Sequence, residues 1–182
     1  MDLLKYVAYT LCTLCIIWWL VGAIRWKETH EFTMALGAWL FFTLCFESFG
    51  NIFGLTYWKV EPTTATNVLG FILLGLSGLI FLVASQTMRR KGKPEKGWEQ
   101  TTELVEIGIF SVIRHPIYFS SLLVILGIFF LKISLFSVLV TPVACLLFFL
   151  SAWYEDRWNE EKFVPKYREY RKRTRLFIPF IY

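Results

Sequence analysis

The chain has 182 residues, 56% of them apolar, with a mean hydropathy of +0.53 and a formal charge of +5. A soluble domain of this length has no need of so much apolar sequence, so composition excludes an ordinary water-soluble enzyme and points to an integral membrane protein. The basic residues cluster at 89–96 and 157–175, beside apolar runs. That placement fits a cytoplasmic membrane face in contact with anionic lipid headgroups, and it argues against nucleic-acid binding.

The chain opens Met1-Asp2-Leu3-Leu4-Lys5 and then runs apolar to Ile24. It has no small-x-small cleavage site and is long enough to cross a bilayer, so residues 4–24 are predicted as a first span rather than a cleaved leader. Cys12 and Cys15 have CxxC spacing, but like Cys45 and Cys145 they fall inside apolar runs. With no second ligand pair and no activating neighbour, they are expected to pack and not to bind metal or do redox work. A polar link, 25–31, precedes a second predicted span, 33–58. Lys59-Val60-Glu61-Pro62 breaks the chain before a third, 65–86.

Next comes a polar stretch, 89–106, with Gly92, Pro94 and Gly97 as breakers. Residues 108–118 are apolar but interrupted by Arg114 and His115, too short to span and suited to an interfacial or re-entrant segment. Residues 118–153 are apolar over about twice the length of one span. With a break near Leu131-Lys132-Ile133-Ser134, they are predicted as a helical hairpin, spans four and five, with Pro142 kinking the second arm. From Glu155 the sequence turns charged. Trp158, Phe163, Tyr167 and Tyr170 recur at helical intervals on one expected face, with a possible break at Pro165. The last seven residues, 176–182, form a hydrophobic tail expected to dock on the bundle or the bilayer. The fold class is therefore all-α: a polytopic bundle of about five transmembrane helices with a cytosolic C-terminal helical segment. It is expected to form one domain over 1–182, with 1–100 as scaffold and 101–182 as the cofactor-binding and catalytic part. Both basic clusters lie on one side of an even number of spans, so the N-terminus is predicted outside and the C-terminus inside.

The chemistry concentrates at Arg114-His115-Pro116-Ile117-Tyr118. Proline suits the first turn of a helix, so His115-Pro116 is expected to start the fourth span. Its N-terminal N–H groups and Arg114 then favour an anionic group, with the Tyr118 hydroxyl one turn in. A helix cap with a snorkelling arginine and an interfacial tyrosine is the plainer alternative. Glu155 and Asp156 leave the fifth span on the same side, and an antiparallel hairpin brings Glu155 near His115 and Tyr118. An acid, a histidine, an arginine and a tyrosine together suit a zwitterion. Glu47 lies within the second predicted span, with Ser48 beside it and Asn51 four residues on. Such a residue is either a functional candidate, with Glu47 and Asn51 on the substrate side, or a structural tie between helices. The second is favoured. His30, in a short link, is assigned no role. No phosphate loop, dinucleotide fingerprint, metal-ligand set or Ser-His-Asp arrangement is present.

Residues 104–118 also resemble a family pattern, "LV-x-x-G-x-Y-x-x-x-RHP-x-Y", of the isoprenylcysteine carboxyl methyltransferases and the related phospholipid methyltransferases. A second family block, an acidic pair followed by "FG-x-x-Y-x-x-Y", is similar to Glu155-Asp156 and to Phe163, Val164, Tyr167 and Tyr170. The resemblance covers about 102–182 and implies an S-adenosylmethionine site on the cytosolic side. Position by position it implies cofactor contacts from Thr102, Glu103, Leu104, Val105, Gly108, Phe110, His115, Pro116, Ile117, Tyr118 and Glu155. Catalytic roles then fall to Arg114, His115 and Glu155, and substrate contacts to Tyr167 and Tyr170. Aromatic faces stabilise a sulfonium, and a desolvated pocket that aligns the reactants lowers the barrier mainly by positioning.

The chain departs from the pattern at Phe110, Asp156 and Val164, which stand for tyrosine, glutamate and glycine. Ser151 replaces the arginine with which the carboxyl methyltransferases engage a substrate carboxylate, which weakens the case for a prenylcysteine acceptor. Membrane sterol reductases, which use NADPH, carry a similar block with asparagine at the position of Ile117 and finish much like 167–182. They supply the alternative reading, and a non-catalytic membrane scaffold is a third. The expected function is methyl transfer to a lipidic or prenylated acceptor at the cytosolic membrane face, among membrane lipids, with no metal and no nucleic acid.

Overall fold

A computed structural model of the chain describes residues 2–55, 58–96 and 100–177. Among these, six helices carry the architecture: α1 (Asp2–Trp26), α2 (Thr29–Gly50), α3 (Thr64–Lys91), α4 (Pro116–Leu131), α5 (Leu135–Lys162) and α6 (Lys166–Arg173). Between α3 and α4, strand β1 (Pro94–Lys96) pairs antiparallel with β2 (Gln100–Thr101), and a 3-10 turn covers Gly108–Ser111. The bundle is helical as expected; this small hairpin is its one two-stranded pairing among the described residues.

Four helices, α1, α2, α3 and α5, are long and apolar enough to cross a membrane. The expected fifth is short. α4 has 16 residues, about 24 Å at 1.5 Å per residue, against a hydrocarbon core of about 30 Å. Its ends are fixed locally. Pro116 occupies the first turn after His115, and Lys132 leaves helical geometry at the other end. The predicted hairpin is present, since Ser134 and Ser137 form a reciprocal capping box that opens α5. Pro142 lies inside α5 without ending it. α5 runs past residue 153 to Lys162, so Glu155 and Asp156 stand on the helix itself. The C-terminal aromatics do not share one face: the chain breaks between α5 and α6 around Pro165, which separates Trp158 from Tyr167 and Tyr170.

The second span also needs correction. α2 ends at Gly50, not at Trp58, because Asn51 takes the left-handed conformation (φ 46°) that stops helices. Glu47 then lies in the last turn of α2. Its carboxylate accepts N–H groups from Phe53 (2.8 Å) and Leu55 (2.6 Å). A fully buried carboxylate thereby satisfies two backbone donors of the following loop. This is the structural tie, made to a loop rather than to a neighbouring helix.

Two helix pairs build the bundle: α3 with α4, and α2 with α5; α4 and α5 join them, and α1 packs on α2. The α3–α4 crossing is close because glycines face it. A Cβ on Gly127 would lie 2.9 Å from Leu74 Cδ2 and 3.1 Å from the Gly70 carbonyl oxygen. Lower on the same seam, buried Ser77 donates to the Ser120 carbonyl at 2.8 Å. Between α2 and α5, Gly37 meets the Phe148 ring, and Ser151 donates to Thr33 at 2.9 Å. Small residues and hydroxyls are what pull helices together where lipid removes the hydrophobic drive.

The C-terminal segment returns as a strap. The Arg114 N–H donates to the Arg175 carbonyl (2.7 Å), the Arg175 N–H to Val112 (3.1 Å) and the His115 N–H to Leu176 (3.3 Å). Leu176 and Phe177 enter the core beside Tyr118 and Phe148. Phe177 stacks on Phe119 and meets Phe149 edge-on. The expected docking of the tail is therefore met by these two residues; 178–182 lie outside the described residues.

Candidate functional site

The turn between α1 and α2, with Lys27 at φ 57°, places the start of α2 at the same end of the bundle as the end of α3, the start of α4 and the charged end of α5. These four ends surround a cavity with about 680 Å³ of atom-free space, partly open to solvent. α2 and the residue before it supply Glu28, His30, Glu31 and Met34, and α3 supplies Met88. The loop and α4 supply Phe110 and Arg114 through Tyr118, and α5 supplies Glu155 and Trp158. The hairpin argument from sequence is met: Glu155, His115 and Tyr118 line one cavity. The cavity also draws on residues before 100, namely Glu28, His30, Glu31, Met34 and Met88.

Beneath this cavity lies a polar hub that sequence reasoning did not isolate. Asp156 Oδ1 accepts from Arg114 Nε (2.7 Å), from the Tyr167 hydroxyl (2.7 Å) and from His115 Nε2 (3.2 Å). Oδ2 is paired with Arg114 Nη2 and Arg171 Nε, both at 3.4 Å. Arg114 also donates from Nη1 to the Thr174 carbonyl at 2.8 Å. The Arg114, His115 and Asp156 side chains are 8%, 3% and 3% exposed, so the ion pair is compensated by hydrogen bonds on nearly every side. Asp156 thus ties the Arg-His pair to the strap, while Glu155, one residue earlier and about 100° around the helix, faces the cavity. The sequence carried one signal for this split, the adjacent acids themselves, but not which of them turned inward.

The remaining expected residues divide. Tyr167 and Tyr170, expected on the substrate side, are each only 2% exposed. Tyr167 is tied to Asp156, and Tyr170 donates to the Phe110 carbonyl at 2.6 Å. Burial, reinforced by the neighbouring Asp156 charge, pushes the Tyr167 hydroxyl far above the usual tyrosine range, and burial raises Tyr170 as well. Both remain protonated donors at neutral pH. Gly108, at φ 61°, gives the chain the left-handed turn that leads into the 3-10 segment. Val105 packs with Ala84 and Phe110 under the cavity.

Thr102, Glu103 and Leu104 are not brought to this cavity. The N–H groups of Thr102 and Glu103 bond back to the Gly92 carbonyl, at 2.9 and 3.2 Å, and hold them at the base of the β-hairpin. There they line a separate groove with Phe163, Val164 and Lys166. Glu47 and Asn51 lie at the other end of α2, Glu47 being 17 positions from His30, which is about 25 Å along a helix, and do not line the cavity. Ser151 faces α2, so an arginine at that position would not project freely into the cavity.

What the sequence reading passed over is the part of the lining around His30. His30 stacks on Trp158, with ring centroids 5.4 Å apart and planes 27° apart. His30 Nε2 lies 3.7 Å from the Glu31 carboxylate, which accepts the Trp19 indole N–H at 2.6 Å. The spacing Glu28-x-His30-Glu31 was visible in the short link; that the link would close over the cavity followed only from the helix ends meeting.

The cavity lining therefore combines three carboxylates, Glu28, Glu31 and Glu155, with Arg114, His115 and the N-terminus of α4. Such a site receives a ligand with separated charges. No group of His, Cys, Asp and Glu suited to a metal ion occurs among the described residues. The family model for phospholipid methyltransferase matches residues 65–166. No curated protein and no solved structure matches the chain.

Proposed function

The chain belongs to the phospholipid methyltransferase family, and we propose that this membrane methyltransferase uses S-adenosylmethionine in the cavity between the ends of α2, α3, α4 and α5. The observation that carries the proposal is the presence of carboxylates and of Arg114 with a helix N-terminus in the lining of one cavity. S-adenosylmethionine has a carboxylate at one end of its amino-acid portion and cations in its ammonium and sulfonium. The residues present fit both. The backbone N–H groups at the start of α4, with Arg114 behind them, favour the carboxylate. Glu155, Glu28 and Glu31 favour the cations. Bound there, the cofactor supplies an activated methyl group.

The protein's own contribution is to hold and to exclude. Arg114 is engaged by Asp156 and the strap, so it acts on the ligand through its charge and by fixing His115 and the loop. His115, with Nε2 held by Asp156, presents the rest of its ring to the cavity. Met34, Met88, Phe110 and Ile117 exclude water, which raises the value of alignment. The acceptor in this reading is a lipid-borne amphiphile that reaches the cavity from the bilayer past Met34 and Met88. The basic residues near the cavity, Arg25, Lys27 and 89–91, support a cytosolic position for this end by the positive-inside rule, with the N-terminus outside.

The test is thermal shift of the detergent-purified protein. S-adenosylhomocysteine is expected to raise the melting temperature and NADPH to leave it unchanged. About 2.7 kcal/mol of stabilisation is expected at one hundred times Kd. Stabilisation by NADPH alone would replace this reading with that of a membrane reductase.

A further inference from the structure

We infer that His30, backed by Glu31 and Trp19, is the proton acceptor for methyl transfer. This rests on the cavity being the transfer site, and goes beyond that reading by assigning the proton. It also goes beyond the family match, because all three residues precede residue 65.

The argument starts from the acceptor's chemistry. A methyl carbon bonds the acceptor's heteroatom while its bond to sulfur breaks and the electron pair stays on sulfur. If the heteroatom brings an ionisable hydrogen, as an ammonium or a thiol does, that proton must leave to a base. A carboxylate acceptor arrives ionised and needs none. The cavity contains two imidazoles. His115 directs Nε2 at Asp156, which Arg114, Tyr167 and Arg171 already hold. Its Nδ1 is left to accept as well, but the Asp156 charge is shared with two guanidiniums and so stabilises an imidazolium there less.

His30 differs. Its Nε2 lies 3.7 Å from Glu31, beyond hydrogen-bond distance, yet the nearby carboxylate charge favours hydrogen on Nε2 and leaves the Nδ1 lone pair to accept. The Trp19 indole fixes the carboxylate at 2.6 Å and Trp158 fixes the ring plane. A base oriented by an acid that is itself oriented by a third group is a recurrent arrangement for proton transfer. The acceptor's proton goes to His30 Nδ1, and the resulting imidazolium is stabilised by Glu31. The charges around His30 are Glu28 and Glu31 from its own segment, Glu155 from α5, Arg114 with His115 in the same cavity lining, and Lys162, whose ammonium lies 4.5 Å over the Trp158 ring.

The test uses the full chain in detergent with S-adenosylmethionine and dodecylamine or dodecanethiol as acceptor, across roughly pH 5 to 8, where imidazoles titrate. The ionisation of the acceptor is common to all variants, so the ratio of wild-type to variant rate isolates the protein's base. His30→Gln is expected to lower kcat about 100-fold at the upper end of this range, with S-adenosylhomocysteine affinity unchanged. The ratio should shrink toward acid, and added imidazole should restore part of the rate. Glu31→Gln, which keeps an acceptor for the Trp19 N–H, should give a smaller loss with the same pH trend.

A readout independent of turnover is tryptophan emission. A pH-dependent component is expected in wild type and should vanish in both His30→Gln and Trp158→Phe. A rate ratio flat with pH, a loss in His30→Gln that tracks loss of S-adenosylhomocysteine binding, or no transfer to either acceptor by protein that binds S-adenosylhomocysteine would each overturn the assignment. Wild-type protein that does not bind S-adenosylhomocysteine would overturn the cavity reading beneath it.

Discussion

Glu155 and Asp156 are neighbours with different work. Asp156 is buried among Arg114, His115, Tyr167 and Arg171, whereas Glu155 reaches the cavity and keeps only a long contact, 3.4 Å, to Asn159. Removing the Asp156 charge strands a guanidinium that is 8% exposed. Breaking one side of such a pair costs about 3–5 kcal/mol. Asp156→Asn, which keeps some hydrogen-bonding capacity, should fall at the lower end of that range and unfold at distinctly lower temperature. Glu155→Gln should leave the melting temperature unchanged while weakening S-adenosylhomocysteine binding by about tenfold, the equivalent of 1.4 kcal/mol. Calorimetric binding beside thermal unfolding separates the two, and the reverse pattern would exchange their roles. The acidic pair was evident from sequence; its division was not, because it depends on which side of α5 the strap covers, and the strap is held by Arg114, 42 residues away.

At the scale of elements, hydropathy located the helices and misjudged their ends. Residues 51–58 include Ile52, Phe53 and Leu55, so the apolar signal continues after the helix has stopped. The stop is made by Asn51 in the left-handed region and by the Glu47 carboxylate capturing two loop N–H groups. Neither effect is visible to a hydropathy window. Conversely, Glu155 and Asp156 look like a chain leaving the membrane, yet α5 carries on for two further turns. The seam between α3 and α4 offers the sharper test of packing. Gly127→Val should separate the two helices, since even the Cβ of the new side chain meets Leu74 Cδ2 at 2.9 Å and the Gly70 carbonyl at 3.1 Å. A loss of about 1–3 kcal/mol follows from overpacking of this kind. Gly75, the residue after Leu74 on α3, has nothing within 4 Å of a built Cβ. Gly75→Ala should therefore be neutral or stabilise by up to about 1 kcal/mol through helix propensity. Equal destabilisation by both, measured by thermal unfolding in one detergent, would mean that the close crossing does not set the stability of the pair.

At the scale of the whole molecule, the cavity and the strap are two faces of one short segment. Arg114 and His115 line the cavity with their side chains and hold Arg175 and Leu176 with their backbone N–H groups. Asp156 links the same two residues to Tyr167, and Tyr170 closes on the Phe110 carbonyl, whose own side chain is in the cavity wall. Opening the strap therefore removes support from the wall, and a ligand that requires the intact wall must stabilise the closed strap by mass action. Trypsin reads this directly, because exposed Arg171, Lys172, Arg173 and Arg175 all lie on the strap. Their cleavage requires local release of α6, an opening of lower free energy than global unfolding. Cleavage followed by mass spectrometry should be slow in the free protein and slower still with saturating S-adenosylhomocysteine, by a factor approaching 1 + [L]/Kd when reclosing outpaces cleavage. Asp156→Asn should speed cleavage in the free protein, and ligand should protect it less. Ligand that binds by calorimetry but leaves cleavage of the strap unchanged would show the two faces to be independent, with Arg114 and His115 serving the strap alone.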